Sequence, residues 1–345
     1  MSRQLIPERQ LGKNGPKISA IGFGAMGLST FYGNPATDEE RFKILDRAIE
    51  LGSTYFDTAD IYGDNEDLLG KYFKKYPQQR QKVFLATKFA CIVSPDFKSF
   101  SVRGDAEYIY QAIAKSLARL QLDYVDLYYV HRIDGKVPIE ETMNALKKLV
   151  QQGKIKYVGL SECSSNTLRR AHAVHPVSAI QIEYSPFSLD IEKEEIGLLK
   201  TCRELGVTIV CYSPLGRGML TGQIRSPDDF EENDIRRMYP RFSKENFPKN
   251  LALVDKLALI AKRKGCTSGQ LTLAWILAQG DDFIPIPGTS KVKNIEENAA
   301  AAQIKLSKEE VNEIRTACNA ADVAGERGPE KFSQSHFADS APKQN

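Results

Sequence analysis

The chain lacks the residue patterns that mark disulfide-rich, metal-binding and membrane proteins. Its six cysteines are widely scattered and include no Cys-x-x-Cys pair, which argues against a disulfide framework and a zinc site. His172 and His175 lie one helical turn apart without a Cys, His or carboxylate cluster around them, so we expect no metal site. No apolar run approaches the length of a membrane span, and residues 1–8 contain no apolar signal core. We therefore expect a cytoplasmic protein with reduced thiols and no membrane partner.

The chain also lacks a strong excess of either charge. Its 47 Lys and Arg residues are interspersed with 44 Asp and Glu residues, which gives a formal net charge of +3. Proteins that bind nucleic acids usually carry clustered positive charge, so we expect no nucleic-acid partner.

What the sequence does contain is a regular alternation of strand-like and helical segments. Apolar, β-branched runs occur at residues 18–24, 53–57, 83–88, 124–131, 155–161, 179–182, 207–212 and 283–287. Amphipathic stretches separate these runs, which is typical of parallel β-α units. Eight such units predict an α/β fold, a closed (β/α)8 TIM barrel, and we expect residues 1–318 to form this single domain.

Local signals support these element boundaries. Asp38 is predicted to cap a helix that Gly52 ends, and Pro138 to open a helix that Gly153 ends.

Three segments exceed the basic repeat. Residues 11–17 have the composition of a hairpin turn and predict a short β-hairpin that closes the N-terminal end of the barrel. Residues 214–249 predict a long loop after the seventh strand, which we interpret as a lid. Residues 319–345 form a tail rich in Ala, Gly, Glu, Lys and Ser that is either disordered or covers the active site.

Four polar residues fall at the ends of successive predicted strands. Asp57, Lys88 and His131 end the second, third and fourth strands, and Tyr62 follows in the loop after the second. Neighbouring parallel strands lie about 4.8 Å apart, so these side chains could meet within about 10 Å. Each residue alone is more often structural than catalytic, but the set fits hydride transfer to a carbonyl. Tyr62 would donate a proton, Lys88 would lower the phenol pKa, Asp57 would hold the lysine, and His131 would orient the carbonyl oxygen.

A glycine motif offers a competing interpretation. Residues 22–27 match G-x-G-x-x-G after a strand, and Asp57 ends the next strand, as in a Rossmann dehydrogenase. That motif should run straight into a helix. Here residues 28–36, including Gly33 and Pro35, intervene, and the strand count reaches eight. The barrel is therefore favoured.

Several motifs together resemble the aldo-keto reductases. They are Asp57-Thr58-Ala59-Asp60-Ile61-Tyr62-Gly63, Thr87-Lys88, Tyr128-Tyr129-Val130-His131, Gly159-Leu160-Ser161, Tyr212-Ser213-Pro214-Leu215-Gly216 and Ile284-Pro285-Ile286-Pro287-Gly288-Thr289. The resemblance spans residues 9–318 and is similar to the branch that holds plant perakine reductase, fungal pyridoxal-reductase-like enzymes and potassium-channel β subunits. It implies a (β/α)8 barrel that binds NADP(H) and reversibly reduces an aldehyde or ketone, a small-molecule substrate. We expect a monomer or weak homo-oligomer.

The resemblance also implies a set of cofactor contacts. Tyr212 would stack on the nicotinamide, and Ser161 and Gln181 would bind its carboxamide. The ribose would be approached by Gly24, Ala25 and Met26. Arg217 and Arg241 lie in the loop after the seventh strand, where they either cover the pyrophosphate or are solvated. Around the adenosine 2′-phosphate and adenine would lie Ser290, Lys291, Asn294, Glu297 and Asn298, at a helix start whose amides favour an anion. The same set includes Asp57, Ser213, Pro214, Leu215, Gly216 and Gly288.

Two positions depart from the pattern of many relatives. Glu162 places a carboxylate where an amide usually helps to hold the nicotinamide. Asn294 stands where an arginine would grip the phosphate bidentately, and Lys291 is the residue that would compensate. The channel-subunit resemblance leaves a second function open, a redox-sensing NADP-binding regulatory subunit with slow catalysis. An assay against a panel of aldehydes would discriminate the two.

Overall fold

A computed structural model describes residues 5–30, 32, 35–94, 99–232, 234–329 and 335–343. Within these residues the strands are β1 Glu8–Gln10, β2 Lys17–Ser19, β3 Phe23–Gly24, β4 Tyr55–Asp57, β5 Phe84–Phe89, β6 Cys91–Val93, β7 Phe100–Val102, β8 Val125–Val130, β9 Ile155–Ser161, β10 Ala179–Glu183, β11 Thr208–Tyr212 and β12 Phe283–Pro285. The helices are α1 Asp38–Glu50, α2 Asn65–Lys75, α3 Pro77–Arg80, α4 Ala106–Leu120, α5 Ile139–Gln151, α6 Ser165–Val174, α7 Leu198–Leu205, α8 Phe247–Lys264, α9 Ser268–Leu277, α10 Val292–Ala300 and α11 Lys308–Asn319.

Eight of the strands form one parallel sheet that closes on itself. The order β3-β4-β5-β8-β9-β10-β11-β12 follows the chain. The sheet closes where Gly22 N donates to Pro285 O at 2.9 Å and Gly24 N donates to Pro287 O at 3.3 Å. The predicted (β/α)8 barrel is therefore confirmed, and the Rossmann alternative is wrong because a Rossmann sheet is open and reverses its strand order. Gly33, on which part of that argument rested, lies outside the described residues.

Close approach of the first and last barrel strands requires glycine at the seam. A Cβ atom on Gly288 would lie 2.6 Å from the carbonyl oxygen of Gly24. No side chain fits at that distance, so Gly288 lets the two ends of the sheet meet.

The N-terminal end of the barrel is closed by the antiparallel hairpin β1–β2, as predicted. Leu11 and Ile18 from this hairpin join a buried cluster inside the barrel that includes Tyr55, Leu127 and Ile284. Gly12 N also donates to Thr208 Oγ1 at 2.7 Å, at the start of β11. In (β/α)8 barrels the functional site lies at the opposite, C-terminal end of the strands.

The cap of α1 differs from the prediction. Thr37 is the N-cap residue, with a capping box to Glu40, whereas Asp38 lies in the first turn and binds Arg41 and Lys71. A threonine hydroxyl on an extended backbone reaches the amides of the first turn, so the cap falls one residue earlier than expected. The predicted stops are confirmed, since Gly52 and Gly153 follow their helices with φ of 82° and 70°.

The long loop after β11 forms a series of single turns before α8 begins. These 3-10 turns are Gly216–Thr221, Pro227–Asp229, Ile235–Met238 and Pro240–Phe242. Phe230 and Phe242 from this loop are buried against Phe247 at the start of α8. The loop is therefore packed onto the barrel in the described residues.

All cysteines in the described residues are free thiols. None of their helices combines the length and apolar character needed to cross a bilayer.

Candidate active site

Lys88 stands at the centre of the polar cluster at the C-terminal end of the barrel. Its ammonium Nζ donates to Asp57 Oδ1 at 2.5 Å, to the carbonyl oxygen of Thr58 at 2.8 Å and to the phenolic oxygen of Tyr62 at 3.4 Å. Three acceptors match the three protons of an ammonium group. The side chains of Lys88 and Asp57 are 0% and 3% exposed. The structure thus brings Asp57, Tyr62 and Lys88 together as their spacing in the sequence indicated.

His131 completes this cluster from the end of β8. Its ring lies 5.8 Å from that of Tyr62, centroid to centroid, at an interplanar angle of 86°. The backbone amide of His131 donates to Phe89 O at 2.8 Å, which ties the residue to the end of β5. The rings of Tyr62 and His131 are therefore direct neighbours at the C-terminal end of the barrel.

Burial and charge set the protonation states of these groups. Burial raises the pKa of Tyr62, whereas the nearby Lys88 ammonium lowers it. The net result for Tyr62 is a pKa above the usual value of 10. Burial lowers the pKa of His131 well below its usual value, and the cations Arg132 and Lys88 act in the same direction. Although burial opposes it, Asp57 holds the pKa of Lys88 above its ordinary value. At neutral pH the site contains a phenol, a neutral imidazole and an ammonium group.

This result differs in one respect from the expectation for Tyr62. The ammonium group acts on the phenol in the predicted direction, but burial outweighs it. Desolvation disfavours tyrosinate more strongly than a single neighbouring cation favours it. The sequence does not reveal how deeply the phenol is buried, so the net direction was not predictable.

The loop that carries Tyr62 is fixed by residues that the sequence analysis missed. Thr58 Oγ1 donates to Asn65 Oδ1 at 2.6 Å, and Asn65 Nδ2 donates to Ala25 O and to Ser29 Oγ, both at 2.9 Å. Asn65 is wholly buried. It connects the loop after β4 to the turn after β3, and an Asn at a helix start gives no sequence signal for such a role.

The nicotinamide-side residues predicted from the resemblance line the ends of β9, β10 and β11. Gln181 Nε2 donates to Asp57 Oδ2 at 2.7 Å, so it braces the carboxylate that holds Lys88. Ser161 Oγ accepts from Arg132 Nη1 at 3.4 Å, and Arg132 also donates to His131 O at 2.7 Å. Arg132 was not singled out from the sequence. The structure places it between Ser161 and His131.

Tyr212 and Glu162 are in direct contact. The Tyr212 hydroxyl donates to Glu162 Oε1 at 2.7 Å. The same carboxylate accepts two hydrogen bonds from Arg327, at 2.8 and 2.7 Å. Arg327 belongs to the C-terminal tail, which therefore reaches the end of β9 beside Tyr212.

The two loop arginines are bound to one acidic residue. Arg241 Nη1 donates to Glu183 Oε1 at 3.2 Å and to Ser188 Oγ at 2.9 Å, whereas Arg217 Nη2 lies 3.9 Å from Glu183 Oε2. The Arg217 guanidinium also lies over the ring of Tyr239, at 4.3 Å from its centroid. The remaining residues of this strand-seven motif, Ser213, Pro214, Leu215 and Gly216, form the turn that leads from β11 to Arg217.

A cavity of about 170 Å³ lies between the turn after β3 and the start of α10. Tyr32, Arg41, Ser290 and Lys291 are among its lining residues. Asn294, in the first turn of α10, donates from Nδ2 to Thr289 Oγ1 at 3.1 Å. Glu40 also lines this cavity, and Arg41 is bound to Asp38 and Asp64, so Lys291 and the N-terminus of α10 are the groups that would favour an anion there.

Other predicted contacts of the adenosine end face different neighbours. Glu297 Oε1 accepts from the Thr267 hydroxyl at 2.7 Å, and Asn298 lines a separate small cavity beside Ile21 and Phe23. Gly24, Ala25 and Met26 are the residues predicted near the ribose. Ala25 and Met26 lie in a turn over residues 25–28 that directly follows Gly24, and Ala25 is buried.

Among the described residues, no group of three or more His, Cys, Asp or Glu side chains is placed to hold a metal ion. His172 Nδ1 instead accepts from Val177 N at 3.3 Å.

Comparisons with known proteins indicate the family to which this chain is similar. The profile described as "Aldo/keto reductase family" matches residues 20–319. The "Aldo-keto reductase yakc [NADP(+)]" of Schizosaccharomyces pombe is 53% identical over 339 residues, which cover 98% of each chain. The "Aldo-keto reductase str7" of Strobilurus tenacellus is 54% identical over 327 residues, 93% of this chain and 95% of the relative. The solved structure of the thermostable aldo-keto reductase Tm1743 with the inhibitor epalrestat is 31% identical, has a TM-score of 0.70, and matches 90% of this chain and 99% of that one.

Proposed function

The chain belongs to the aldo/keto reductase family, and from this premise we propose that it reduces the carbonyl group of an aldehyde or ketone to an alcohol with NADPH. The observation that carries the proposal is the position of Lys88, whose ammonium group binds Asp57 and Tyr62 at once. This arrangement holds a protonated phenol where a carbonyl oxygen can take its proton.

The residues of the site have distinct roles in the proposed reaction. NADPH, when bound, supplies the hydride to the carbonyl carbon. Tyr62 donates its phenolic proton to the oxygen, which becomes the hydroxyl of the alcohol, and Lys88 stabilises the tyrosinate that remains. Asp57 and Gln181 hold Lys88 in place, and the neutral imidazole of His131 orients the carbonyl oxygen by a hydrogen bond.

The residues of the structure fit NADP(H) at both ends of the molecule. Ser290 and Lys291 stand beside a cavity at the N-terminus of α10, where the lysine and the helix end suit a phosphate on the adenosine. Tyr212 presents a half-buried ring at the end of β11, near Ser161 and Gln181. The yeast relative named for NADP(+) supports the same choice.

The proposal is tested by titrating the protein with NADPH and NADH and then by a steady-state screen of aldehydes and ketones. We expect NADPH to bind more tightly than NADH and to be oxidised in proportion to the alcohol formed. Tight NADPH binding without turnover of any carbonyl would favour the redox-sensing regulatory subunit instead. Absence of NADPH binding would reject both functions.

The protonation states also predict the pH dependence of the reduction. A group with a raised pKa stays protonated until the pH exceeds that pKa, so Tyr62 remains an acid well above neutrality. His131, with a lowered pKa, stays neutral down to acidic pH. The turnover number with saturating NADPH should therefore be nearly flat from about pH 6 to about pH 9, whereas oxidation of the alcohol, which needs tyrosinate, should speed up as the pH rises. An inflection of the reduction rate near the usual histidine pKa of about 6.5 would contradict the assignment.

A further inference from the structure

Glu162 is a buried carboxylate at the end of β9, beside the proposed nicotinamide site. Its side chain is 0% exposed, and its backbone has a left-handed φ of 53°. Its amide donates to Gln181 O at 3.2 Å and its carbonyl accepts from Ala338 N at 2.9 Å. A buried charge is costly unless it is paired and hydrogen-bonded, so its partners determine whether this residue can stay in place.

Those partners come from two distant parts of the chain. Arg327 donates to both carboxylate oxygens in the fork geometry that suits a guanidinium, at 2.8 and 2.7 Å. Tyr212 donates its hydroxyl to Oε1 at 2.7 Å. Although burial would raise the pKa of Glu162, Arg327 lowers it to about 2, so the carboxylate is charged at neutral pH.

Arg327 in turn depends on the docking of the C-terminal tail. Its guanidinium lies 4.8 Å from the ring centroid of Phe337. The next residue, Ala338, makes two backbone hydrogen bonds to the segment that follows β9. Ser164 N donates to Ala338 O at 3.0 Å, and Ala338 N donates to Glu162 O. The tail backbone and the tail arginine thus hold the same residue, Glu162.

We propose that Glu162 and Arg327 are positioning residues that couple the docked C-terminal tail to the orientation of the Tyr212 ring. The inference rests on the proposed function, because it is the NADP(H) nicotinamide that is expected to lie against that ring. Because its oxygens are bound by Arg327 and Tyr212, the carboxylate holds the Tyr212 ring in one orientation. That orientation determines which face of the ring is available to the nicotinamide. Glu162 therefore acts through Tyr212. An amide side chain at this position would instead contact the nicotinamide carboxamide directly.

The test measures NADPH affinity by fluorescence titration, together with KM for NADPH and kcat, in full-length variants. Arg327→Met leaves Glu162 charged and unpaired beside Tyr212, so we expect the dissociation constant and KM for NADPH to rise about 10-fold or more, with kcat at saturating NADPH changed less than about 3-fold. Arg327→Lys keeps the charge without the fork and should give an intermediate affinity.

A double variant separates positioning from simple loss of contacts. Glu162→Gln with Arg327→Met removes both charges, so it should bind NADPH better than Arg327→Met alone. The single variant Glu162→Gln completes the comparison. If the losses of NADPH affinity in Glu162→Gln and Arg327→Met simply added up in the double variant, the coupling would be overturned.

A matched control exists elsewhere in the chain. Glu192 accepts from Arg315 at 2.8 and 2.9 Å and from the Tyr184 hydroxyl at 2.5 Å. Arg315→Met breaks a pair with the same pattern of three hydrogen bonds, which is more exposed (24% and 26% for the two side chains) and makes no contact with a residue assigned to the cofactor. It should lower the melting temperature and leave NADPH affinity at the parent value. Equal losses of NADPH affinity in Arg315→Met and Arg327→Met, or unchanged affinity in Arg327→Met, would overturn the proposal while the parent enzyme still binds NADPH. A parent protein that binds no NADPH would overturn the proposed function and this inference with it.

Discussion

In the Tyr62→Phe variant, the turnover number for carbonyl reduction is expected to fall by about 10²–10⁴-fold. The substitution removes the proton donor and leaves the ring, so the affinity for NADPH should stay close to that of the parent. The measurement is steady-state kinetics with saturating NADPH beside a fluorescence titration of the cofactor.

Tyr128→Phe provides the control for loss of a phenolic hydroxyl. Tyr128 is buried on β8, the strand that leads to His131, and stacks on Phe89, with ring centroids 4.8 Å apart. Within the described residues its hydroxyl has no hydrogen-bond partner. The control should keep the parent's turnover number. A Tyr62→Phe enzyme that reduces substrate at the parent rate would show that another group supplies the proton.

Lys88→Met should damage both catalysis and folding. Without the ammonium group the tyrosinate has no neighbouring cation, and we expect the turnover number to fall by at least about 100-fold. The substitution also leaves Asp57 buried without its ion-pair partner, which should lower the free energy of unfolding by about 3–5 kcal/mol. Denaturant unfolding and steady-state kinetics measure the two effects separately.

The double variant Asp57→Asn, Lys88→Met distinguishes the loss of catalysis from the loss of folding stability. Removing both charges should restore much of the free energy of unfolding, because no unpaired carboxylate remains. It should not restore turnover. If activity returned together with stability, the loss in Lys88→Met would reflect misfolding rather than the missing ammonium group.

Much of the fold and the centre of the site could be predicted from the sequence because both follow from short-range patterns. Strand-like runs at regular spacing indicated eight β-α units, and parallel strands place their ends at one face of a barrel. The positions of Asp57, Lys88 and His131 at three strand ends were therefore visible without coordinates. Their catalytic roles remain predictions until the variants are measured.

Features that depend on burial or on distant contacts could not be predicted in this way. Glu162 and Arg327 are 165 residues apart in the chain, and the tail that carries Arg327 has no periodic pattern. The same limit applies to Gln181, which was assigned to the carboxamide and binds Asp57 in the structure. The net pKa shift of Tyr62 depends on the depth of its burial, which spacing along the sequence does not encode.

The seam of the barrel has a consequence for the synthesis of the protein. Residues 22–24 pair with residues 285–287, and Gly24 and Gly288 touch across this join. A nascent chain must therefore release nearly its whole length from the ribosome before its first barrel strand finds its last neighbour. Until then, the outer edges of β3 and β11 remain unpaired templates for other chains. The adenosine end of the proposed cofactor site, which lies beside this join, is among the last parts of the molecule to form.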